Sequence, residues 1–202
     1  MATLRKQVSD ALCAQGYRRR GRAHLLRVDD DFSFCVDTGI PGPRTDIAPY
    51  VGIRSELVES TRSELMALEH DEWVGTAGAN VGYILEGEYR YWDTGTSAQL
   101  VLDRISSALD KFRPFMSLAT LHQAFSFRGA AENPGTPYAL VVIALLNGDT
   151  DLVAGRLAEA SRIFCGTSLP TEAPLPDSER RLDEVCDQFR EFEARVRLRL
   201  ER

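Results

Sequence analysis

Residue types that carry chemistry outright are scarce in this 202-residue chain. Its four cysteines, Cys13, Cys35, Cys165 and Cys186, lie far apart and form no Cys-x-x-Cys pair. That removes the usual metal and redox spacings and leaves thiols as small core residues of a cytoplasmic protein. The three histidines, His24, His70 and His122, show no ligand spacing of the HExxH kind. None stands in sequence as a base between a nucleophile and an orienting group. No glycine-rich loop follows a strand and opens a helix, so a nucleotide-phosphate loop has no support. The longest apolar run, 138–146, has nine residues, about half of what a membrane-spanning helix needs. Arg5, Lys6 and Asp10 occupy the stretch where a secretory leader would be apolar, so the sequence reads as leaderless and its expected location is cytoplasmic. There is no internal repeat. The sequence therefore offers no catalytic residue, no metal ligand set and no cofactor.

What is present is globular composition. Apolar residues make up 44% and charged residues 27%, well above the disordered range. A chain of this length buries roughly 70% of its unfolded surface and needs no covalent staple. Net charge is −6, placed unevenly. Residues 1–28 hold seven basic side chains against one acid, Asp10, and the remainder carries −12. Such asymmetry steers encounter with a charged partner. An acidic body favours a basic protein over nucleic acid.

The hydrophobic periods divide the chain. Residues 3–15 place Leu4, Val8, Ala11 and Leu12 on one helical stripe, and Gly16 stops it. Segments 24–28 and 32–36 then read as a hairpin around Asp29-Asp30-Asp31, with Phe32, Phe34 and Val36 alternating with polar positions. Gly39 to Pro43 is a loop by composition. A strand is expected at 47–53, where Pro49 marks an edge or bulge. A loose helical pattern follows over 55–68. Residues 80–85 and 88–92 read as a second hairpin around Glu86-Gly87. From Thr94 the period is helical. Thr96 to Gln99 has capping-box spacing. A helix runs to about Phe112, and another restarts at Pro114 through Leu121 and Phe125. Segments 137–146 and 152–164 form a helical hairpin, with Asp149 or Thr150 as cap. Residues 166–177 hold three prolines and read as a linker. The last helix, 178–202, carries Leu182, Val185, Phe189, Phe192 and Val196 on a seam that either closes its own domain or meets a second chain. The expected class is α+β: an N-terminal helix, an antiparallel sheet of four or five strands over about 22–92, and a helical C-terminal half, with 1–165 as one domain.

Two clusters invite a functional reading. Tyr17-Arg18-Arg19-Arg20-Gly21-Arg22 joins basic and aromatic groups that can grip phosphate; its plain alternative is a solvated strand entry. Tyr83, Tyr89, Tyr91 and Trp92, with Trp73 nearby, place two tyrosines on one strand face and Arg90 with Trp92 on the other. Aromatics and arginine dominate binding hot spots. Packing of that sheet between helices is the competing explanation.

In order, the pieces resemble a known pattern. An N-terminal helix precedes the Gly16-Tyr17-Arg18-Arg19-Arg20-Gly21 stretch. A strand pair runs through Phe32, Phe34 and Val36, then come Val51-Gly52-Ile53-Arg54, the acidic-Trp element Asp71-Glu72-Trp73, a helix ending near Pro114-Phe115, and a late apolar helical hairpin. Over residues 3–165 the chain resembles a bacterial domain family of unassigned biochemical function, some relatives of which accompany toxins as candidate immunity proteins. The resemblance implies an α+β fold and supplies no catalytic residues. It implies a non-enzymatic binding protein that neutralises a cognate toxin by direct contact, and the acidic body suits a basic toxin. The contact residues expected on that reading are Asp29, Asp30, Asp31, Asp71, Glu72, Glu86, Glu88, Arg90 and Trp92. The alternative is a small-molecule or nucleic-acid module built on the basic segment 18–22.

Overall fold

The structure, a computed structural model, describes residues 3–39, 47–71, 73, 75–166 and 176–201, with the side chains of 176–182 excepted. Glu72, the loop residues 40–43 and most of the expected linker lie outside the described residues. The chain divides into two compact units, one of Met1–Glu59 and Asp71–Thr136, the other of Ser60–His70 and Pro137–Arg202.

The first unit opens with α1 (Leu4–Ala14). Thr3 caps it by accepting the Lys6 amide at 3.3 Å. Leu4, Val8 and Leu12 form the buried stripe the spacing predicts, each contributing on the order of 1.5–3 kcal/mol. Gly16, at φ +94°, reverses the chain as only glycine does without strain.

A five-stranded antiparallel meander follows: β1 (Arg18–Arg20), β2 (Ala23–Arg27), β3 (Phe32–Asp37), β4 (Tyr50–Ser55) and β5 (Ala77–Asn80), in that spatial order. With the N-terminal helix and the helical C-terminal half, this is the α+β class expected. Register sets the two faces. Leu26, Phe34 and Ile53 lie opposite one another, as do His24, Val36 and Val51; this face is covered by α1 and α4 (Ala98–Phe112). Arg113 follows α4 and places its guanidinium 5.0 Å above the Phe34 ring. The opposite face carries Leu25, Cys35, Gly52 and Gly78 in one row across β2 to β5.

The acidic turn 29–31 has local structural work. Asp29 Oδ1 accepts the amides of Asp31 and Phe32. Asp31 accepts the Leu57 amide at 2.7 Å and the Ser55 hydroxyl, so it caps α2 (Glu56–Met66) from across the hairpin.

Three local expectations are corrected. The second hairpin does not form. Residues Val81–Leu85 are a short helix, α3, and Trp92 keeps one isolated bridge, to Ile47. Asn80 explains the change: its side-chain oxygen accepts the Gly82 and Arg90 amides while its nitrogen donates to the Pro49 and Arg90 carbonyls. One side chain thus does the work of a strand ladder. The cap of α4 is Ser97, which accepts the Leu100 amide at 3.2 Å; Gln99 instead bonds Asp103. The expected helix after Pro114 is two 3₁₀ segments, Arg113–Phe115 and Leu121–Ser126.

The second unit is helical, with α5 (Thr136–Leu146), α6 (Thr150–Cys165) and α7 (Pro176–Leu200), α5 being shared at its first residue with the first unit. Asp149 caps α6 through the Leu152 amide. Two points settle what the sequence left open or misread. The seam of α7 closes within the unit: Phe189, Phe192 and Val196 are buried, and Phe189 and Phe192 join Tyr138 and Phe164 in one aromatic cluster. The expectation of four thiols is overturned, because Cys165 and Cys186 are joined by a disulfide with Cα atoms 4.9 Å apart. The fold brings together two cysteines that lie 21 residues apart in sequence. Among the described residues, no helix is long and apolar enough to cross a membrane.

Candidate functional site

The sheet face away from α1 is the place to look, because its central row is made of small residues. Leu25, Cys35, Gly52 and Gly78 alternate away from the core face. With no side chains on Gly52 and Gly78, a cavity of about 440 Å³ opens over the sheet, within the roughly 300–1,000 Å³ of small-molecule clefts. Its walls come from Tyr50 on β4, Trp73 before β5, Phe125 in the second 3₁₀ helix, and Ala130 and Asn133 from the segment after it. The ion pair of Arg22 and Asp37, 2.8 Å between Nε and Oδ2, stands at one side.

The titratable groups beside this cavity are held neutral. Burial pushes the Cys35 thiol up to about 12, the nearby Arg54 opposing and Glu59 adding to the rise. A thiol so placed is neither a nucleophile nor a metal ligand at neutral pH. His24 is buried, and its pKa is lowered chiefly by that burial. Its Nδ1 lies 3.0 Å from the Arg22 carbonyl, which can only accept, so Nδ1 carries the proton. Nε2, 2.7 Å from Ser9 Oγ, therefore accepts. Both ring nitrogens are engaged, and no site remains for a substrate proton.

His24 has a consequence for stability. The unfolded chain binds a proton at this side chain near its ordinary pKa of 6.5, and the folded chain resists. The unfolded state therefore holds more protons on the acid side, so the stability from a neutral His24 is present above about pH 6.5 and is lost as pH falls below it. His24→Gln is expected to flatten the fall in urea-unfolding free energy between about pH 7 and 5; an unchanged slope in the variant would assign the fall to other groups.

The cavity rim carries a tyrosine cluster. Tyr50 and Tyr89 meet edge to face at 6.3 Å between centroids, Tyr83 and Tyr89 at 5.9 Å. Arg128 lies 5.2 Å over the Tyr83 ring. Tyr50 and Tyr89 are each more than 40% exposed. The Tyr50 hydroxyl is pushed up to about 12 by partial burial and by Tyr89 beside it, so it remains a hydrogen-bond donor.

The residues singled out in the sequence are distributed as follows. Asp29, Asp30 and Asp31 stay together at the β2–β3 turn, where Asp30 pairs with Arg27 at 2.8 Å. Asp71 lies elsewhere; its carbonyl accepts Arg54 Nη1 and its carboxylate lies 3.5 Å from Arg20. Glu86, Glu88 and Arg90 form one charged group, extended by Arg104 at 3.4 Å from Glu86. They adjoin the tyrosine cluster through Tyr89. Trp92 is in the core, 8% exposed. The basic run divides: Arg18 lies over the Trp73 ring at 5.5 Å and Arg20 near Asp71, whereas Arg19 projects from the α1 side of the sheet, in register with His24. Tyr50 and Cys35 escaped sequence reasoning. The signal for Cys35 was its place between Phe34 and Val36, which puts it on the non-core face. Tyr50 gave none, as it follows a proline outside the clear alternation. Among the described residues, no three His, Cys, Asp or Glu side chains gather into a metal-binding set.

No protein-family model, no curated protein and no solved structure matches this chain.

Proposed function

We propose that this chain is a non-enzymatic binding protein that neutralises a protein partner by direct contact, of the toxin-immunity kind its sequence resembles. The observation that carries the reading is the Tyr50–Tyr83–Tyr89 cluster, with Tyr50 and Tyr89 exposed and Arg128 over Tyr83. Tyrosine and arginine are the residues that dominate interface energetics, and a rigid, pre-packed aromatic group costs little entropy on docking. The engaged nitrogens of His24 and the neutral thiol of Cys35 support binding over catalysis at the adjoining cavity. The −12 carried by residues 29–202 supports a basic partner.

The test is reconstitution with the product of an adjacent toxin-like gene. A complex on size exclusion and rescue of growth are expected. Tyr89→Ala should weaken that complex by about 2 kcal/mol or more, roughly thirtyfold. Asp30→Ala, at a turn away from the cluster, should leave it within about threefold. Absence of both complex and rescue rejects the function; a complex indifferent to Tyr89→Ala rejects this surface.

A further inference from the structure

We propose that a second cavity, between the first turns of α1 and the β1–β2 turn, binds a small molecule carrying a dianionic phosphate group. This cavity measures about 590 Å³, more room than a bare phosphate ion fills. Four cationic side chains line it: Arg5 and Lys6 from α1, Arg19 from β1 and Arg22 from the turn. Among the described residues, no carboxylate lines it.

Charge decides the class of ligand. Lys6 is paired with Asp10 at 2.6 Å and Arg22 with Asp37 at 2.8 Å. Among the described residues, no carboxylate pairs with Arg5 or Arg19. The cavity thus keeps two uncompensated positive charges, the complement of a phosphate monoester, which carries roughly −2 at neutral pH. Arg19 is set for the task. Its Nε donates to the Gly21 carbonyl at 2.8 Å, which fixes the guanidinium and leaves its terminal nitrogens for an oxyanion, the fork that grips phosphate in two bonds. Gly21, at φ +61°, makes the two-residue turn that brings its own carbonyl there. Thr3, the cap of α1, and Ser9 add polar side chains to the lining.

The arrangement fits a small molecule better than a nucleic acid. The four cations converge on one concavity, whereas a strand of phosphates needs them spread along a track. Alternation along β1 has already turned Arg18 and Arg20 to the other face, toward Trp73 and Asp71. This inference is independent of the partner reading, whose tyrosines lie over that other face.

Titration calorimetry of the full chain with phenyl phosphate, inorganic phosphate and a short single-stranded oligonucleotide tests it. Saturable binding of phenyl phosphate, one per chain, is expected. Arg5→Ala and Arg19→Ala should each weaken it about tenfold or more, and Arg19→Lys should restore part of the loss. Arg18→Ala should leave it unchanged. Thermal unfolding accompanies each titration, and Arg19→Gln replaces any alanine variant that unfolds early. Three results overturn the proposal: no saturable heat with either phosphate at millimolar concentration, equal binding by the Arg5→Ala/Arg19→Ala double variant, or an oligonucleotide bound more tightly than phenyl phosphate with a salt slope counting several phosphates. Toxin-partner binding by the double variant should stay intact, so failure here and failure of the partner reading are separable.

Discussion

Gly52→Ala is expected to destabilise the first unit by at least about 3 kcal/mol. A Cβ at position 52 would stand 2.0 Å from the Ala77 carbonyl oxygen and 2.6 Å from Gly78 Cα. Both obstacles are backbone of the neighbouring strand, which has no rotamer to move. Relief therefore means parting β4 from β5 at the centre of their pairing, where Gly52 faces Gly78. The lost ladder bonds add to the steric cost. Gly75→Ala is the matched control: its Cβ would meet Cys35 Sγ at 3.6 Å, ordinary contact, and its effect should stay within about 0.5 kcal/mol. Urea unfolding of both variants checks the pair. A Gly52→Ala midpoint equal to the parent's would show that the two strands are not so closely apposed. The same approach of backbones makes the floor of the sheet cavity flat, so folding and site share one cause.

What the sequence revealed tracks how local the physics is. The α1 stripe and the β2–β3 hairpin follow from period and turn residues within a few positions, and both formed as read. The 88–92 strand did not, although Tyr89 and Tyr91 alternate, because Asn80 reaches ten residues along the chain to satisfy Arg90's backbone. Periodicity cannot see a side chain that replaces a ladder. The acidic turn was legible as a cluster but not as a cap: Asp31 serves α2 from 26 residues away. Basic residues were visible as a run, yet alternation splits them between two faces, and only the fold brings Arg19 beside Arg5 and Lys6. The Cys165–Cys186 pair was hidden for a similar reason, since it depends on α6 and α7 packing against each other.

That pair bears on the other large effect, Phe189→Ala, expected to cost about 3–5 kcal/mol. Phe189 is fully buried, with ring centroids 5.6 Å from Phe164 and 6.2 Å from Tyr138. Around it, Tyr138 stacks on Phe164 at 4.7 Å and meets Phe192 edge-on at 4.9 Å. Deleting this ring leaves a hole bounded by three others, rigid groups that collapse poorly into a void. The disulfide acts by a different route. Closing a loop across 21 residues restricts the unfolded chain and contributes about 3 kcal/mol by chain entropy. Cys186 lies one helical turn before Phe189, so covalent tether and aromatic anchor hold neighbouring turns of α7. With the bond intact, Phe189→Ala should lower the melting temperature while the helix stays attached through Cys186. With reductant present, both anchors are gone, and trypsin should cut at Arg195, Arg197 and Arg199 far faster than in the reduced parent. Arg195 Nη1 donates to the Leu65 carbonyl at 2.8 Å in a part-buried hydrogen bond, and Arg199 pairs with Glu64 at 3.1 Å on the surface; one such hydrogen bond contributes about 1 kcal/mol and one such ion pair about 1 kcal/mol or less. They are too weak to hold a helix whose apolar seam has lost its largest member. If the reduced Phe189→Ala protein resists trypsin as the parent does, the aromatic cluster is not what holds α7 in place.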